Sequence, residues 1–178
     1  MVMTPRLRKF ALTVHLTCSV GWIGAVMAYL ALVIAAMTSQ DSRTLQAVWT
    51  AMEVIGWYVI VPLALAALLT GLVMALGTPW GLFRHYWVLI SLVLTILATV
   101  VLLVHMQTVS DIAGSAAATP GATVGGLPGE FVHAGVGMLV LLVVQVLNMY
   151  KPRGMTPYGW RKQQERRTVS PAGDAGNK

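Results

Sequence analysis

The sequence predicts an all-α membrane protein, a bundle of four transmembrane helices with both termini in the cytoplasm. Of its 178 residues, 57% are hydrophobic and only 10% are charged, whereas soluble globular domains carry roughly 25% charged residues. Four nearly charge-free runs are each long enough to cross roughly 30 Å of hydrocarbon as a helix. The basic residues fall almost entirely on one side of these runs, which predicts the orientation.

The predicted spans divide the chain into three parts. The spans lie at about 10–37, 54–76, 86–106 and 131–150. Residues 10–150 therefore form the transmembrane domain, and residues 1–9 form a short cytoplasmic N-terminus. Residues 151–178 form a basic cytoplasmic tail, which we expect to be partly disordered because its last part is polar and lacks large apolar side chains.

The first span is predicted to be an uncleaved helix rather than a signal peptide. Basic residues precede it, but its apolar stretch is about twice the length of a secretory h-region. With about 100° of rotation per residue, five side chains share one stripe of this helix: His15, Ser19, Trp22, Val26 and Tyr29. This stripe is expected to face the bundle interior, where its aromatic rings either pack against other helices or form a planar wall for a macrocycle.

The second span carries Pro62, which lacks a backbone donor and is therefore expected to distort the helix near mid-membrane. The polar stretch before the span, residues 38–49, is expected to form an outer loop. The turn after the span, residues 77–87, is short and aromatic. It predicts that spans two and three are antiparallel neighbours with their aromatic anchors at headgroup depth.

The third and fourth spans are joined by a segment from Gln107 to Glu130 that is rich in Gly, Ala and Pro. It shows no obvious apolar periodicity, so we expect a large, mobile outer loop. On span four, His133 shares a face with Gly137, which would open a smooth groove beside the imidazole.

The charge distribution gives the predicted topology. Eleven of the twelve Lys and Arg residues lie on the cytoplasmic side when the N-terminus is inside, and only Arg43 lies outside. The net charge of +6 thus reflects topology and attraction to anionic lipids rather than nucleic-acid binding. The single cysteine, Cys18, excludes an intrachain disulfide and the paired-cysteine metal sites.

All four histidines lie in or at the edge of a span. His15 lies about 9 Å along span one from its basic end, and His85 lies at the cytoplasmic start of span three. His105 lies about 30 Å further along span three, and His133 lies at the outer start of span four. We therefore predict an inner pair, His15 with His85, and an outer pair, His105 with His133.

Two histidines at one depth on different helices are suited to axial ligation of a haem iron, with one imidazole on each side of the macrocycle. They are equally suited to a soft or borderline metal such as copper, for which Met106 beside His105 would be an additional ligand. His85 and His105 are about 160° apart on an ideal helix, so both cannot face one bundle axis. The simplest alternative is that these imidazoles only hydrogen-bond to water, lipid or backbone.

Two stretches resemble a known group of bacterial membrane proteins. The stretch "HLTCSVGWIGAV", His15–Val26, has a His, then a Trp seven residues later, then a Gly two residues beyond. It resembles the first span of the copper-resistance-D-like group, which includes the haem-containing membrane protoporphyrinogen oxidase. With "GTPWGLFRHYWVLISLVLTILATVVLLVH" as the second stretch, residues 8–150 look closest to a domain-of-unknown-function family of actinobacterial type in that group.

The resemblance implies a helical bundle in the bacterial cytoplasmic membrane and an axial haem ligand in the first span, which corresponds to His15. Relatives are expected to carry a lysine four residues after Trp87, where this chain has Ser91. Protoporphyrinogen oxidation, which would depend on that lysine, is therefore not expected here.

Three functions are consistent with these observations. The first is a b-type haem protein in membrane electron transfer, with His15 as ligand, His85 or another span histidine as its partner, and Trp22 beside the porphyrin. The second is copper handling through histidine and methionine. The third is a cofactor-free accessory or scaffold subunit of a larger membrane complex. Hydrolytic catalysis is disfavoured, because no nucleophile, base and orienting acid have a suitable spacing.

Overall fold

The computed structural model describes residues 3–77, 81–118 and 126–169. Its helices are α1 (Pro5–Thr38), α2 (Ser42–Ile55), α3 (Val61–Gly77), α4 (Tyr86–Ala118), α5 (Leu127–Tyr150) and α6 (Pro157–Val169). A π-helical turn, Gly56–Ile60, joins α2 to α3 without a break. Four continuous helices are long and apolar enough to cross a membrane: Pro5–Thr38, Ser42–Gly77, Tyr86–Ala118 and Leu127–Tyr150. The predicted all-α fold with four transmembrane helices is confirmed.

The four long helices pack around one apolar core. α1 packs mainly against α3 and α5, and α4 packs mainly against α2, α3 and α5. On α1, the residues buried in this core include Trp22, Val26 and Tyr29. The predicted inward orientation of the α1 stripe is therefore confirmed, while the opposite face of α1 carries exposed apolar side chains suited to lipid.

The helices extend beyond the apolar runs at their outer ends. The expected outer loop at residues 38–49 is wrong, because α2 begins at Ser42. Asp41 caps this helix by accepting hydrogen bonds from the backbone N–H groups of Thr44 and Arg43. The side-chain and backbone bonds from Thr44, and the backbone bond from Arg43, hold the pKa of Asp41 below its usual range. The cap is therefore ionised at neutral pH.

The expected outer loop from Gln107 to Glu130 is also mostly helical. α4 continues to Ala118 and α5 begins at Leu127, and residues 119–125 lie outside the described residues. The buried side chains beyond His105 recur every three or four residues: Met106, Val109, Ala113 and Ala116. This helical spacing is weak in the sequence because alanine contributes little to an apolar periodicity, although it packs closely against neighbouring helices.

The expected distortion in the second span takes the form of the π-helical turn. The N–H of Val61 donates to the carbonyl of Gly56, five residues back, and the exposed Pro62 follows immediately. Gly56 lies against Met106, and a Cβ at this position would collide with the methionine sulfur and methyl group. Met106 is fully buried, and its sulfur packs against Gly56 in the core.

The N-terminus, the inner turn and the tail meet at one end of the bundle. The backbone N–H of Met3 donates to Gly77 at 3.2 Å, and that of Thr156 donates to Arg84 at 3.0 Å. Thr156 also caps α6, because its hydroxyl accepts from the N–H of Gly159 at 3.1 Å. The tail is therefore docked and contains the helix α6, Pro157–Val169, and residues 170–178 lie outside the described residues.

Gly159→Ala is expected to detach the tail from the bundle. A Cβ at Gly159 would lie 2.5 Å from the backbone oxygen of Arg84, and neither backbone can give way easily. Such overpacking costs about 1–3 kcal/mol, so tryptic cleavage within residues 151–165 should accelerate on the order of tenfold. Gly154→Ala is the matched control, since its Cβ would lie 3.7 Å from Tyr86. Equal cleavage rates for the three proteins would contradict the docking.

Candidate functional site

Four polar side chains meet at the end of the bundle opposite the N-terminus, and we call Tyr29, His105, Glu130 and His133 the outer cluster, after the predicted orientation. Three helices place it at the same depth. Twenty residues separate Lys9 from Tyr29 and Glu130 from Tyr150, and nineteen separate Tyr86 from His105. Each interval corresponds to about 30 Å of helix, which is about the thickness of the hydrocarbon core of a bilayer.

Glu130 is the centre of this cluster. The residue is only 4% exposed, and its Oε2 accepts a hydrogen bond from the Tyr29 hydroxyl at 2.8 Å. The same oxygen lies 2.9 Å from Nε2 of His105. A buried carboxylate is tolerated in a membrane protein when partners of this kind satisfy it, and such a carboxylate usually has a function.

The outer histidines are in direct contact. The ring centroids of His105 and His133 lie 3.5 Å apart, with an interplanar angle of 14°. The predicted outer pair is therefore brought together, although its role as a ligand pair stays a prediction. Two axial ligands of one haem stand on opposite sides of the macrocycle, and stacked rings would have to separate to do so.

The start of α5 explains why Glu130 lies inside the bundle. Gly126 has a φ of 100° and begins the helix, a conformation that glycine adopts readily. Glu130 then falls in the first turn, where the helix dipole favours a carboxylate. His133 follows three residues later, on the same face of α5 as Glu130.

A second polar site lies near the inner end, where His15 contacts α3. Its Nδ1 is 3.0 Å from the hydroxyl oxygen of Thr70. That hydroxyl has one proton and lies 2.6 Å from the carbonyl of Ala66, so the threonine donates to Ala66 and accepts from the imidazole. A neutral His15 therefore carries its proton on Nδ1 and has a lone pair on Nε2.

Two further features surround this inner site. A Cβ at Gly71 would lie 3.1 Å from Cε1 of His15, so the glycine leaves the space that the ring occupies. Ser91 lies about 7.5 Å along α4 from Tyr86, a depth similar to that of His15 on α1. It is 6% exposed, and its hydroxyl oxygen has no hydrogen-bond partner. We use the name inner site for His15 with its neighbours Thr70 and Gly71, together with Ser91 at a similar depth on α4.

His85 lies in a different environment. It forms an isolated antiparallel bridge with Met155 of the tail, and its ring lies 6.4 Å from that of Trp87 at an angle of 46°. The contacts described for His15 are with α3 instead. His85 and His15, the predicted inner pair, thus make contacts with different parts of the chain. Their joint ligation of a cofactor stays a prediction.

Sequence reasoning named the histidines of the outer cluster but missed the roles of Glu130 and Tyr29. Both residues carried a signal. Glu130 is an acid at the start of an apolar helix and three residues before His133, and Tyr29 lies on the inward stripe of α1. Among the described residues, no group of three or more His, Cys, Asp and Glu side chains converges as in a formed metal site.

The comparisons with known proteins agree with a membrane protein. The sequence matches the family described as "Predicted integral membrane protein (DUF2269)" over residues 9–152. No curated protein and no solved structure matches the sequence.

Proposed function

The chain belongs to the DUF2269 family of predicted integral membrane proteins, and we propose that it is a b-type haem protein that transfers electrons within a bacterial cytoplasmic membrane. One observation carries the proposal most directly. Nδ1 of His15 lies 3.0 Å from the hydroxyl oxygen of Thr70, whose proton is directed to Ala66; donation from Nδ1 would leave Nε2 as a lone-pair donor at an inward-facing position. Histidines that ligate metals commonly donate their other ring N–H in this way, because the hydrogen bond orients the ring and raises its basicity.

The residues of the inner site fit such a group. His15 would provide the axial nitrogen, and Thr70 would orient the ring. Gly71 leaves space beside the ring, and the buried hydroxyl of Ser91 is a polar atom that a bound group would satisfy. Trp22, buried seven residues further along α1, would exclude water. When bound, haem iron supplies one-electron transfer at a potential tuned by these surroundings.

The second axial ligand is proposed from the sequence. His85 lies at the inner end of α4 and remains the candidate, with the resemblance to the copper-resistance-D-like group as further support for a haem site on span one. Ser91 stands where relatives of that group are expected to carry a lysine, so protoporphyrinogen oxidation is not part of the proposal. Electron transfer would also require a membrane redox partner or a larger complex.

Visible absorption of the detergent-purified protein tests this function. Oxidised and dithionite-reduced spectra should show a Soret band and a sharp α band on reduction, with haem bound at a fixed ratio to protein. Absence of a Soret band after expression with added haem precursor would overturn the proposal. Copper at one ion per chain in that haem-free protein would favour copper handling, and neither cofactor would favour an accessory or scaffold subunit.

Cysteine labelling tests the orientation that the proposal assumes. In a Cys18→Ser background, Ser115→Cys at the outer end of α4 should react with an impermeant maleimide in intact cells. Arg161→Cys on α6 should react only after the membrane is permeabilised, because basic segments stay on the cytoplasmic side. Both positions are exposed, so the reverse pattern would show that both termini are outside.

A further inference from the structure

We infer that the end of the bundle that carries the docked tail binds the headgroups of anionic phospholipids, and that this contact holds α6 in the headgroup layer. The surface combines exposed cations of the tail with those at the start of α1. We call it the basic face, formed by Arg6, Arg8, Lys9, Arg153, Arg161 and Lys162. The inference is independent of any haem at the inner site.

The depth of α6 is the first argument. The backbone N–H of Thr156 donates to the carbonyl of Arg84 at 3.0 Å, and the N–H of Tyr86 donates to the carbonyl of Gly154 at 3.3 Å. The long uncharged run of α4 begins at Tyr86. These bonds fix the start of α6 beside the point where the charged inner turn gives way to an apolar span, which is the depth expected of headgroups.

The second argument is that the bundle leaves the middle of α6 uncovered. Thr156 and Gly159 are buried at the inner turn, whereas Tyr158 and residues 160–165 are exposed. The helix has 13 residues, and isolated helices of this length are marginal in water. Contact with a headgroup layer supplies stabilisation that the bundle itself does not.

Charge is the third argument. Residues 1–9, 77–86 and 151–178 contain eleven Lys and Arg but only two acids, Glu165 and Asp174. Lys162 pairs with Glu165 at 3.2 Å, and these segments keep a large positive charge. The backbone bonds of the tail and of Met3 to the inner turn and Gly77 hold the cations at one end of the bundle. Such a cluster attracts an anionic leaflet about fivefold more strongly for each Lys or Arg.

Exposed aromatic rings at the same end favour a lipid surface over a nucleic acid or an acidic protein. Trp160 is 57% exposed, and Tyr86, Tyr150 and Tyr158 are exposed as well. Trp and Tyr are enriched at membrane–water interfaces, because one part of each ring is apolar and the other part is polar. A headgroup layer accommodates both the rings and the cations, since it offers phosphates beside the ends of the acyl chains.

Titration with short-chain lipids tests the basic face. The full-length protein is held in an uncharged detergent, in a Cys18→Ser background with an environment-sensitive fluorophore on Gln163→Cys, an exposed position of α6. Dioctanoyl phosphatidylglycerol should bind on the order of tenfold more tightly than dioctanoyl phosphatidylcholine, because only the first carries a net negative charge. Arg161→Gln should weaken this binding about fivefold, and Arg161→Lys, which keeps the charge, should not.

Arg43→Gln is the matched control, because it removes an exposed cation at the opposite end of the bundle. This variant should bind phosphatidylglycerol as the wild type does. Glycerol phosphate, which is the headgroup without acyl chains, should not saturate the signal at the same concentration. Equal binding of the two lipids, equal weakening by Arg161→Gln and Arg43→Gln, or saturation by glycerol phosphate would each overturn the proposal.

A measurement in a bilayer tests the position of α6 without changing the basic face. In nanodiscs that contain phosphatidylcholine and phosphatidylglycerol, a nitroxide on the lipid headgroup should quench the fluorophore on Gln163→Cys strongly. The same fluorophore on Ser115→Cys should be quenched weakly, because Ser115 lies about 15 Å beyond His105 along α4. Quenching at Gln163→Cys no stronger than at Ser115→Cys would show that α6 stands away from the headgroups. Neither experiment reads a haem signal, so a failure here is distinct from a failure of the haem proposal.

Discussion

His15→Ala is expected to abolish the reduced α band and to remove most of the bound haem from the purified protein. The substitution would delete the proposed haem ligand, whose ring lies against the hydroxyl of Thr70. Loss of a metal ligand removes both the bond and the orientation of the group, and neighbouring side chains at this site offer hydroxyls rather than nitrogen. The measurement is haem content per chain together with the dithionite-reduced spectrum. An unchanged spectrum at full occupancy would leave His15 as a buried hydrogen-bonding residue.

Three variants separate ligation from general damage to the bundle. Thr70→Val should retain haem but shift its potential, because the Nδ1–H loses its acceptor. Trp22→Ala should likewise retain haem with an altered potential or occupancy, because water gains access. His105→Ala should leave an inner haem intact, since the outer cluster lies about 20 Å further along the helices. Loss of haem in the His105 variant would indicate that the haem binds at the outer cluster rather than at the inner site.

Glu130→Ala is expected to be the most destabilising substitution in the outer cluster. Its carboxylate accepts hydrogen bonds from two donors, the Tyr29 hydroxyl and Nε2 of His105. Tyr29 is only 5% exposed. Each buried donor left without an acceptor costs about 1–3 kcal/mol, so the free energy of unfolding should fall by about 2–6 kcal/mol. The measurement is the midpoint of thermal or denaturant unfolding in detergent.

Two control variants remove a carboxylate elsewhere in the bundle or only one of the donors to Glu130. Glu53→Ala removes a half-buried carboxylate on α2 and should change stability by less than about 1 kcal/mol. Tyr29→Phe removes one donor and leaves Glu130 bonded to His105, so it should cost about 1 kcal/mol. Equal midpoints for the Glu130 and Glu53 variants would show that the hydrogen bonds of the outer cluster do not contribute to stability.

Much of the outer cluster was within reach of sequence reasoning, because depth along a helix follows from residue number. His105 and His133 were paired in this way, and the structure brings their rings together. The partners of Glu130 were not predictable by the same means, since depth does not specify which side of α5 faces inward or which helices lie next to it. Tyr29 and Glu130 are 101 residues apart in the chain, and their contact depends on the rotation of α1 and α5.

The inner site shows the same division. The depth of His15 and the inward face of α1 follow from the sequence, whereas its contact with Thr70 depends on how α1 and α3 pack. His85 was paired with it by depth alone. In the structure, His85 lies beside the tail, which folds back onto the inner turn through a backbone hydrogen bond at Arg84. The sequence did not predict this contact, because backbone hydrogen bonds leave no pattern in side-chain periodicity.

The sequence by itself determined the fold class, the number of spans and the inward face of α1. These properties are local, because hydropathy and helical periodicity sum over neighbouring residues and the bilayer selects on that sum. The tertiary structure alone decided where the helices end, that a π-helical turn accommodates Pro62, and that Glu130 meets Tyr29 and His105. Those outcomes depend on capping and on close packing between distant segments, where one residue of rotation turns a side chain by about 100° and exchanges a buried partner for lipid.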